Sequence, residues 1–264
     1  MKMSINQQKA IWDRNWERRN QANLKKILDS RFTQEGYRCI KSFINKNDKL
    51  ILEAGCGTGR LCCILAKDFP DSHVIGMDIS PNSLKIANSL KEYLQLSNVS
   101  FETGNLFQIP YPDNYFDVVF NEGVIEHYSL KNKPNYIDAL REMIRVTKKG
   151  GKIIIAVPNW YNFPHTLYKW TLNKLGKKFI YGYEKSFKYS EMIELYLEHG
   201  LTEIELSAFY PEHGFYRLSG KGFYRIFFLL GKVTSLIKSF LDTCFDGYFS
   251  KKFGFEIVIK GVKP

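Results

Sequence analysis

Three glycines at alternate positions, Gly55, Gly57 and Gly59, follow an apolar segment that begins at Leu50. A second apolar segment, residues 61–69, comes directly after them and has the period of a helix. In a strand, tight turn and helix of this kind, glycine lets a nucleotide-like ligand approach bare backbone, because a side chain would block it. The spacing therefore predicts a ligand site over the end of the first strand.

A single acidic residue, Asp78, ends the next apolar segment, residues 74–78. It follows the glycines by about twenty residues, where a carboxylate can accept hydrogen bonds from both hydroxyls of a ribose. The two segments together predict an adenosine-containing cofactor held over a parallel sheet.

The composition of the 264-residue chain is that of a globular protein. No stretch reaches the roughly 18 uncharged apolar residues of a membrane span, and the polar start of the chain lacks the apolar core of a secretory signal. The five cysteines follow no metal-binding spacing. We expect reduced thiols, no metal site and a cytoplasmic protein, with a peripheral position at a membrane surface as an alternative.

The formal net charge of +11 is unevenly distributed along the chain. Residues 1–49 carry +7 and residues 160–264 carry +5, whereas residues 50–159 carry −1. Basic flanks can face an anionic substrate, an anionic membrane surface or RNA, or they can simply keep the protein soluble. The charge alone leaves these alternatives open.

From Leu50 onward the chain alternates between strand-like and helix-like segments, which predicts an α/β fold with a seven-stranded, mostly parallel sheet and helices on both faces. We expect an N-terminal helical cap over residues 1–49 and a main domain over residues 50–264, with inserts at about 158–189 and 210–252. The predicted strands lie at about 50–54, 74–78, 99–103, 116–121, 152–157, 202–209 and 254–262. The predicted helices lie at about 58–69, 81–96, 134–147 and 190–199.

Both inserts follow the carboxyl ends of predicted strands, at the edge where open α/β sheets bind ligands. The first insert is aromatic and basic, and the second contains an apolar helix with a narrow polar stripe. For this helix we favour a lid packed on the domain, with contact between residues 222–241 and a lipid interface as the alternative. Trp12 and Trp16, in the first helical segment, either cover the ligand pocket or, as we favour, dock that segment on the domain.

Several motifs resemble those of the class I S-adenosylmethionine-dependent methyltransferases. Residues 53–59, Glu-Ala-Gly-Cys-Gly-Thr-Gly, are similar to the family's first motif, and Arg60 stands where a nicotinamide-binding turn needs a small residue. Further similar segments are Gly-Asn-Leu at 104–106, the run 109–119, the run 121–127 that ends in Glu-His, and Lys-Gly-Gly at 149–151. The nearest resemblance is to the small-molecule branch of ubiquinone and menaquinone biosynthesis, and it implies a Rossmann-like fold.

The resemblance implies S-adenosyl-L-methionine as the cofactor and gives roles to individual residues. Glu53 would attract the ammonium of its methionine end, Asp78 would hold the ribose, and Asn105, where the family usually has Asp, would face the adenine. The full set of expected cofactor-binding residues is Glu53, Gly55, Cys56, Gly57, Gly59, Asp78, Ile79, Asn105, Leu106 and Glu122.

Two histidines are candidates for a general base, which the reaction needs only if the acceptor must lose a proton. His127 follows the fourth predicted strand, near the expected methyl group, and His165 lies in the aromatic insert. A structural role for His127, holding a loop by hydrogen bonds, is an equal alternative.

The leading hypothesis for the reaction is methyl transfer to a hydrophobic or amphipathic small molecule, such as a lipid, a quinone or a glycolipid-like precursor. The aromatic insert and the apolar helix suggest this acceptor class. An RNA methyltransferase is the alternative that the basic flanks suggest, but the chain lacks a recognisable RNA-binding module. A non-catalytic cofactor-binding subunit is a third hypothesis, which rests on Asn105.

Overall fold

A seven-stranded sheet forms the centre of the computed structural model, which describes residues 5–17, 23–177, 179, 181–218, 224–244 and 248–264. The strands are β1 (Leu50–Ala54), β2 (His73–Asp78), β3 (Val99–Thr103), β4 (Phe116–Glu122), β5 (Thr147–Pro158), β6 (Thr202–Phe209) and β7 (Glu256–Val262). Their order across the sheet is β3-β2-β1-β4-β5-β7-β6, and β7 runs antiparallel to both of its neighbours. The predicted mostly parallel sheet is confirmed.

Eleven α-helices are present in the described part of the chain. They are α1 (Ile5–Glu17), α2 (Leu24–Asp29), α3 (Arg31–Lys41), α4 (Arg60–Asp68), α5 (Pro81–Tyr93), α6 (Tyr136–Val146), α7 (Phe163–Lys174), α8 (Tyr189–Glu198), α9 (His213–Leu218), α10 (Tyr224–Cys244) and α11 (Tyr248–Phe253). The four predicted helices of the main domain correspond to α4, α5, α6 and α8. None of the helices described is both long and apolar enough to cross a bilayer.

Hydrophobic layers cover both faces of the sheet, because successive residues of a strand point to opposite sides. On β1, Leu52 belongs to a buried cluster that includes residues of α6 and α8. Its neighbour Ile51 belongs to a second cluster, which includes residues of α3, α4 and α5. Neither side chain is exposed to solvent. The two layers confirm the predicted Rossmann-like arrangement with helices on both faces.

The strand β5 begins at Thr147, earlier than the predicted start at about residue 152, because α6 ends at Val146 and the chain enters the sheet directly. Thr147 pairs with Phe116, and the register then shifts before Lys152 pairs with Val118. This irregular pairing adds the Lys-Lys-Gly-Gly segment to the strand.

Both inserts begin at one edge of the sheet. The first leaves β5 after Pro158 and contains α7, and the second leaves β6 after Phe209 and contains α9, α10 and α11. Since β5 and β6 point the same way, their carboxyl ends share this edge with those of β1, β2 and β4. The helix α9 packs against both α7 and α10, and α1 packs against α5.

Candidate active site

A cavity of about 1030 Å³ lies at the carboxyl ends of β1, β2 and β4. Gly59 and His165, two residues predicted for the site, do not line it. The other ten predicted residues do, and they are Glu53, Gly55, Cys56, Gly57, Asp78, Ile79, Asn105, Leu106, Glu122 and His127. Side chains of α1, α2, α9 and the first insert complete the wall.

The turn after β1 needs glycine at two positions that line the cavity. Gly55 has a φ of 92°, and a Cβ added to it would lie 2.5 Å from a methyl carbon of Val124. Gly57 has a φ of 52°, and an added Cβ would lie 3.2 Å from the Trp16 ring. L-residues rarely adopt this backbone conformation, and a side chain would fill the cradle.

Gly59 has a different role from the one predicted. It precedes α4 with a φ of 67°, and an added Cβ would lie 2.5 Å from the Phe101 ring and 2.8 Å from the Cβ of Ala87. The residue therefore lets α4 pack closely on β3 and α5, outside the cavity wall. Glycine is needed here for packing rather than for approach of a ligand.

Asp78 ends β2 and ties the glycine turn to the start of α5. Its two carboxylate oxygens accept hydrogen bonds from the backbone amides of Gly57 and Ser80, each at 2.8 Å. Burial raises the pKa of Asp78 above its usual value, although the two amides act in the opposite direction. Each oxygen keeps lone pairs that can accept from a ribose hydroxyl.

Glu53 and Cys56 form a buried polar group beneath the turn. One carboxylate oxygen of Glu53 accepts hydrogen bonds from the backbone amide of Cys62 at 3.2 Å and from its thiol at 2.8 Å. Burial raises the pKa of Glu53 to about 8 and that of the Cys56 thiol to about 11. Glu53 is therefore a carboxyl group whose charge depends on what lies beside it in the cavity.

Asn105 lies at the end of the cavity bordered by Ile79 and Leu106. Its side-chain oxygen accepts a hydrogen bond from the backbone amide of Phe107 at 3.0 Å. The side-chain NH2 group has no partner among the described residues, so it can donate to a ring nitrogen. Asn105, which stands where the family usually has Asp, therefore still offers a hydrogen-bonding group that an adenine ring could use.

The helix α1 lies over the cavity, and Trp12 and Trp16 both line it. The Trp12 ring stacks on Tyr181 with 5.3 Å between centroids and meets the His127 ring edge-on at 5.2 Å. On the same helix, Asp13 accepts a hydrogen bond from the hydroxyl of Ser80. The two tryptophans therefore cover the pocket as well as dock α1 on the domain.

His127 is buried and lines the cavity. The part of the cavity lined by the glycine turn, Asp78 and Asn105 is called the cofactor end, and the part lined by residues of the two inserts, Phe255 and Glu256 is called the insert end. Its Nδ1 lies 2.6 Å from the carbonyl oxygen of Tyr183. A carbonyl oxygen only accepts, so Nδ1 carries the proton and Nε2 keeps its lone pair. Burial lowers the pKa of His127 below its usual value. The ring is thus a neutral base whose Nε2 lies 3.6 Å from Oε1 of Glu126.

His165 contacts Glu184 instead of the cavity. Its Nε2 lies 2.7 Å from Glu184 Oε1, which also lies 3.3 Å from the ammonium of Lys169. Although burial opposes ionisation of Glu184, His165 and Lys169 lower the pKa of its carboxyl to about 2. Glu184, which does line the cavity, is therefore a carboxylate that His165 positions. The structure gives His165 a supporting position rather than the predicted place beside the acceptor.

Glu122, at the end of β4, forms a buried ion pair with Arg60 at the start of α4. The Arg60 guanidinium also lies over the Phe32 ring, 5.5 Å from its centroid. Both charged side chains line the cavity, and their opposite charges offset each other within the pair.

Two further carboxyl groups, Glu126 and Glu256, line the insert end of the cavity. The Oε2 atom of each is buried and has no hydrogen-bond partner in the part of the chain that the structure describes. Burial and nearby carboxylates raise the pKa of both well above the usual value. A raised pKa favours the protonated form, in which a carboxyl group can both donate and accept hydrogen bonds with a polar group of an acceptor.

Arg217 of α9 brings a positive charge to the same end of the cavity. Its guanidinium lies over the rings of Phe255 at 5.0 Å and Tyr181 at 5.6 Å. Its Nε also donates to Nε2 of His213 at 3.4 Å. The insert end therefore combines aromatic walls with a few polar groups, the composition of a small-molecule site.

Sequence reasoning missed most of the residues at the insert end. Glu126 stands directly before His127, and that position could have identified it. Arg217, His213 and Glu256 belong to no local motif, because elements distant in the sequence bring them to the cavity.

The sequence comparisons agree with this geometry. A family model described as "Methyltransferase domain" matches residues 45–195, more than half of the chain. The chain belongs to the class I S-adenosylmethionine-dependent methyltransferases. Among curated relatives of this methyltransferase, demethylmenaquinone methyltransferase from Listeria welshimeri is 32% identical over 142 residues, which cover 51% of this chain and 58% of that one. The same enzyme from a Geobacillus species is 30% identical over 181 residues, 61% of this chain and 74% of that one.

Solved structures share the fold of this methyltransferase. A Thermotoga maritima methyltransferase, titled a possible histamine N-methyltransferase, has a TM-score of 0.63 and 18% identity, with 97% of this chain and 100% of that chain covered. Phosphoethanolamine N-methyltransferase 2 from Haemonchus contortus, solved with S-adenosyl-L-methionine, has a TM-score of 0.57 and 19% identity, with 87% and 52% covered. At these identities the likeness concerns the fold alone.

The cofactor of the family, S-adenosyl-L-methionine, fits the residues at the cofactor end of the cavity. The positive-φ glycines leave open the cradle that a Cβ would fill, and Asp78 keeps lone pairs toward it. Glu53 supplies a buried carboxyl group for the ammonium of the methionine part, and Asn105 supplies a side-chain NH2 group for the adenine ring. These groups would hold the methionine, ribose and adenine parts.

Proposed function

We propose that the protein transfers a methyl group from S-adenosyl-L-methionine to an amphipathic small molecule with a ring-shaped head group, of which a demethylated quinol is the best candidate. The observation that carries this proposal is that the glycine cradle, a set of aromatic and polar side chains and His127 all line one cavity. An acceptor bound at the insert end would then meet the cofactor's methyl group.

The bound cofactor supplies an electrophilic methyl group on a sulfonium, so the protein's task is mainly to orient the acceptor and exclude water. Nε2 of His127 accepts a proton from a hydroxyl of the acceptor, while its Nδ1–H stays bound to the Tyr183 carbonyl. In the overall exchange the acceptor would gain the methyl group and give up one proton to Nε2 of His127, and the cofactor would keep the electrons of the broken sulfur–methyl bond.

Aromatic side chains support a ring-shaped head group. Tyr181, Phe179 and Tyr168 of the first insert and Phe255 before β7 line the insert end, and Trp12 closes it from α1. Flat rings stack on or meet such walls edge-on. Glu126 and Glu256 would bind the hydroxyl groups of a quinol. The curated relatives named demethylmenaquinone methyltransferase support a quinol in particular.

The test is a methyl-transfer assay with cofactor labelled at the methyl group, first on cell extract separated into lipid, RNA and protein, then on purified demethylated quinol. We expect label in the lipid fraction and turnover of the quinol, and loss of both with Asp78→Ala. Label in RNA alone would replace the proposal with the RNA alternative. Cofactor binding without transfer to any fraction would instead indicate a non-catalytic subunit.

A further inference from the structure

Exposed apolar side chains are concentrated in the two inserts. Fifteen large hydrophobic side chains are exposed among the described residues, and twelve of them lie within 158–189 or 210–252. Six of these twelve lie on α10: Leu229, Leu230, Val233, Leu236, Ile237 and Phe240. A single exposed leucine needs no explanation, but a contiguous patch on one element indicates contact with an apolar partner.

The six residues, here called the α10 face, lie on one side of the helix. At 3.6 residues per turn they fall within an arc of roughly 120°. The opposite side contacts the domain, where Gly231 is buried against the Tyr216 ring and Ser235 accepts a hydrogen bond from Arg31 at 2.9 Å. Among the side chains of α10 that the structure describes, the small residues Gly231 and Ser235 face the domain and the six large apolar ones face solvent.

The helix α7 is oriented in the same way. Its residues His165 and Tyr168 face the interior and the cavity. On its other side, Phe163 and Trp170 are exposed by 71% and 57%, and the Lys174 ammonium lies 5.7 Å from the Trp170 ring centroid. The helices α7 and α10 both pack on α9, so each insert has an exposed apolar surface on a helix next to α9.

The charge near these exposed apolar surfaces favours an anionic bilayer over a second copy of the chain as their partner. The inserts are basic: Lys174, Lys177, Lys188, Lys251 and Lys252 all have exposed side chains. Apolar helix faces with exposed tryptophan and flanking lysines are typical of segments that lie in the interface of an anionic bilayer. In a dimer formed through these surfaces, the lysines of the two copies would lie opposite each other, and this repulsion disfavours self-association.

We propose that the α10 face, with Phe163 and Trp170 of α7, docks the protein on the surface of an anionic membrane. This inference goes beyond the proposed reaction, because it concerns where the protein works. An amphipathic acceptor could then pass from the bilayer to the cavity without crossing water.

The experiment is flotation of the purified 264-residue protein with vesicles of phosphatidylcholine alone or mixed with phosphatidylglycerol. We expect binding to the mixed vesicles, weakening as salt is added. The variant Leu236→Ser/Phe240→Ser should bind them at least about tenfold more weakly, because two large apolar side chains no longer enter the interface. The matched control Tyr93→Ser/Leu197→Ser removes two exposed apolar side chains outside the inserts and should bind like the parent.

Equal melting temperatures and equal binding of S-adenosylhomocysteine establish that both variants are folded. No vesicle binding by the parent protein, or equal loss in the two variants, would overturn the docking proposal while leaving the proposed reaction intact. A dimer in light scattering that only Leu236→Ser/Phe240→Ser dissociates would overturn it in favour of a second copy. Methyl transfer to a detergent-solubilised acceptor tests the reaction separately.

Discussion

Nδ1 of His127 lies 2.6 Å from the carbonyl oxygen of Tyr183, which joins the segment after β4 to the first insert. This bond fixes the tautomer of the ring and so leaves Nε2 as the acceptor, 3.6 Å from Oε1 of Glu126. It also makes the position of a candidate base depend on the fold of the insert. His127 can therefore hold the insert through Nδ1 and act as a base through Nε2.

His127→Ala is expected to lower kcat by roughly 100- to 10,000-fold if the acceptor loses its proton to this residue. Binding of S-adenosylhomocysteine should change little, because the His127 ring contacts Trp12 and the Tyr183 carbonyl and not the glycine turn or Asp78. The pH profile checks the assignment: burial lowers the pKa of His127, so activity should fall only at pH values below its usual 6.5. A variant with unchanged kcat would show that the ring is only structural.

Asp78→Ala should weaken binding of S-adenosylhomocysteine by roughly 10- to 100-fold, since hydrogen bonds to a charged group contribute about 1.5–3 kcal/mol. Isothermal titration calorimetry measures this directly. Asp71→Asn, which alters an exposed carboxylate before β2, is the control and should bind like the parent. Equal affinities for Asp78→Ala and the control would remove Asp78 from the cofactor site.

Cofactor binding should release a proton from Glu53 at pH 7. Its pKa of about 8 leaves the carboxyl group mostly protonated in the free protein. An ammonium placed beside it stabilises the carboxylate and lowers that pKa, so affinity should rise with pH up to about 8. Titrations in two buffers of different ionisation enthalpy count the protons. If the Glu53→Gln variant released the same number of protons on cofactor binding, the proton would come from another group and not from Glu53.

The sequence predicted those parts of the site that local backbone chemistry determines. Gly55, Gly57 and Asp78 lie in one strand-turn-helix unit and the next strand, and the structure brings all three to the cavity. Gly59 belongs to the same motif, yet its reason for being glycine is the approach of Phe101 from β3. A motif thus shows that glycine occurs but not which neighbour requires it.

The insert end could not be predicted because it depends on contacts between distant segments. The polarity of His165 suggested a catalytic role, but α7 directs the ring to Glu184. For α10 the hydrophobic period predicted the helix, and we favoured burial of its apolar side as a lid. The packed side instead carries Gly231 and Ser235, small residues that allow close approach to the domain. The periodicity of apolar residues predicts a helix, but it does not show which face of that helix packs against the rest of the protein.

The four tryptophans should report on two separate events. Trp12 and Trp16 line the cavity, whereas Trp160 and Trp170 are about half exposed in the first insert. The variant Trp160→Phe/Trp170→Phe retains only Trp12 and Trp16, and its emission should change when S-adenosylhomocysteine binds. The variant Trp12→Phe/Trp16→Phe retains only Trp160 and Trp170, and its emission should not change. Anionic vesicles should shift only the emission of Trp12→Phe/Trp16→Phe to shorter wavelength, because this variant retains Trp170, which enters the interface. A cofactor response that follows Trp160 and Trp170 would contradict the position of α1 over the pocket.

Arg60→Met should destabilise the protein by about 3–5 kcal/mol, because it leaves the Glu122 carboxylate buried without its partner. The double variant Arg60→Met/Glu122→Leu removes both charges and should recover much of that loss, since an apolar pair can replace a buried ion pair. Urea unfolding of the single and double variants measures both free energies.

The exposed pair Lys133–Asp138 supplies the comparison for that experiment, because the Lys133 side chain is 73% exposed. Lys133→Met should cost at most about 1 kcal/mol, as water screens the remaining carboxylate. If Arg60→Met cost as little, Glu122 would be solvated in the cavity rather than dependent on Arg60. If the double variant were no more stable than Arg60→Met, the loss would come from contacts of the Arg60 side chain, such as that with the Phe32 ring, and not from the unpaired charge.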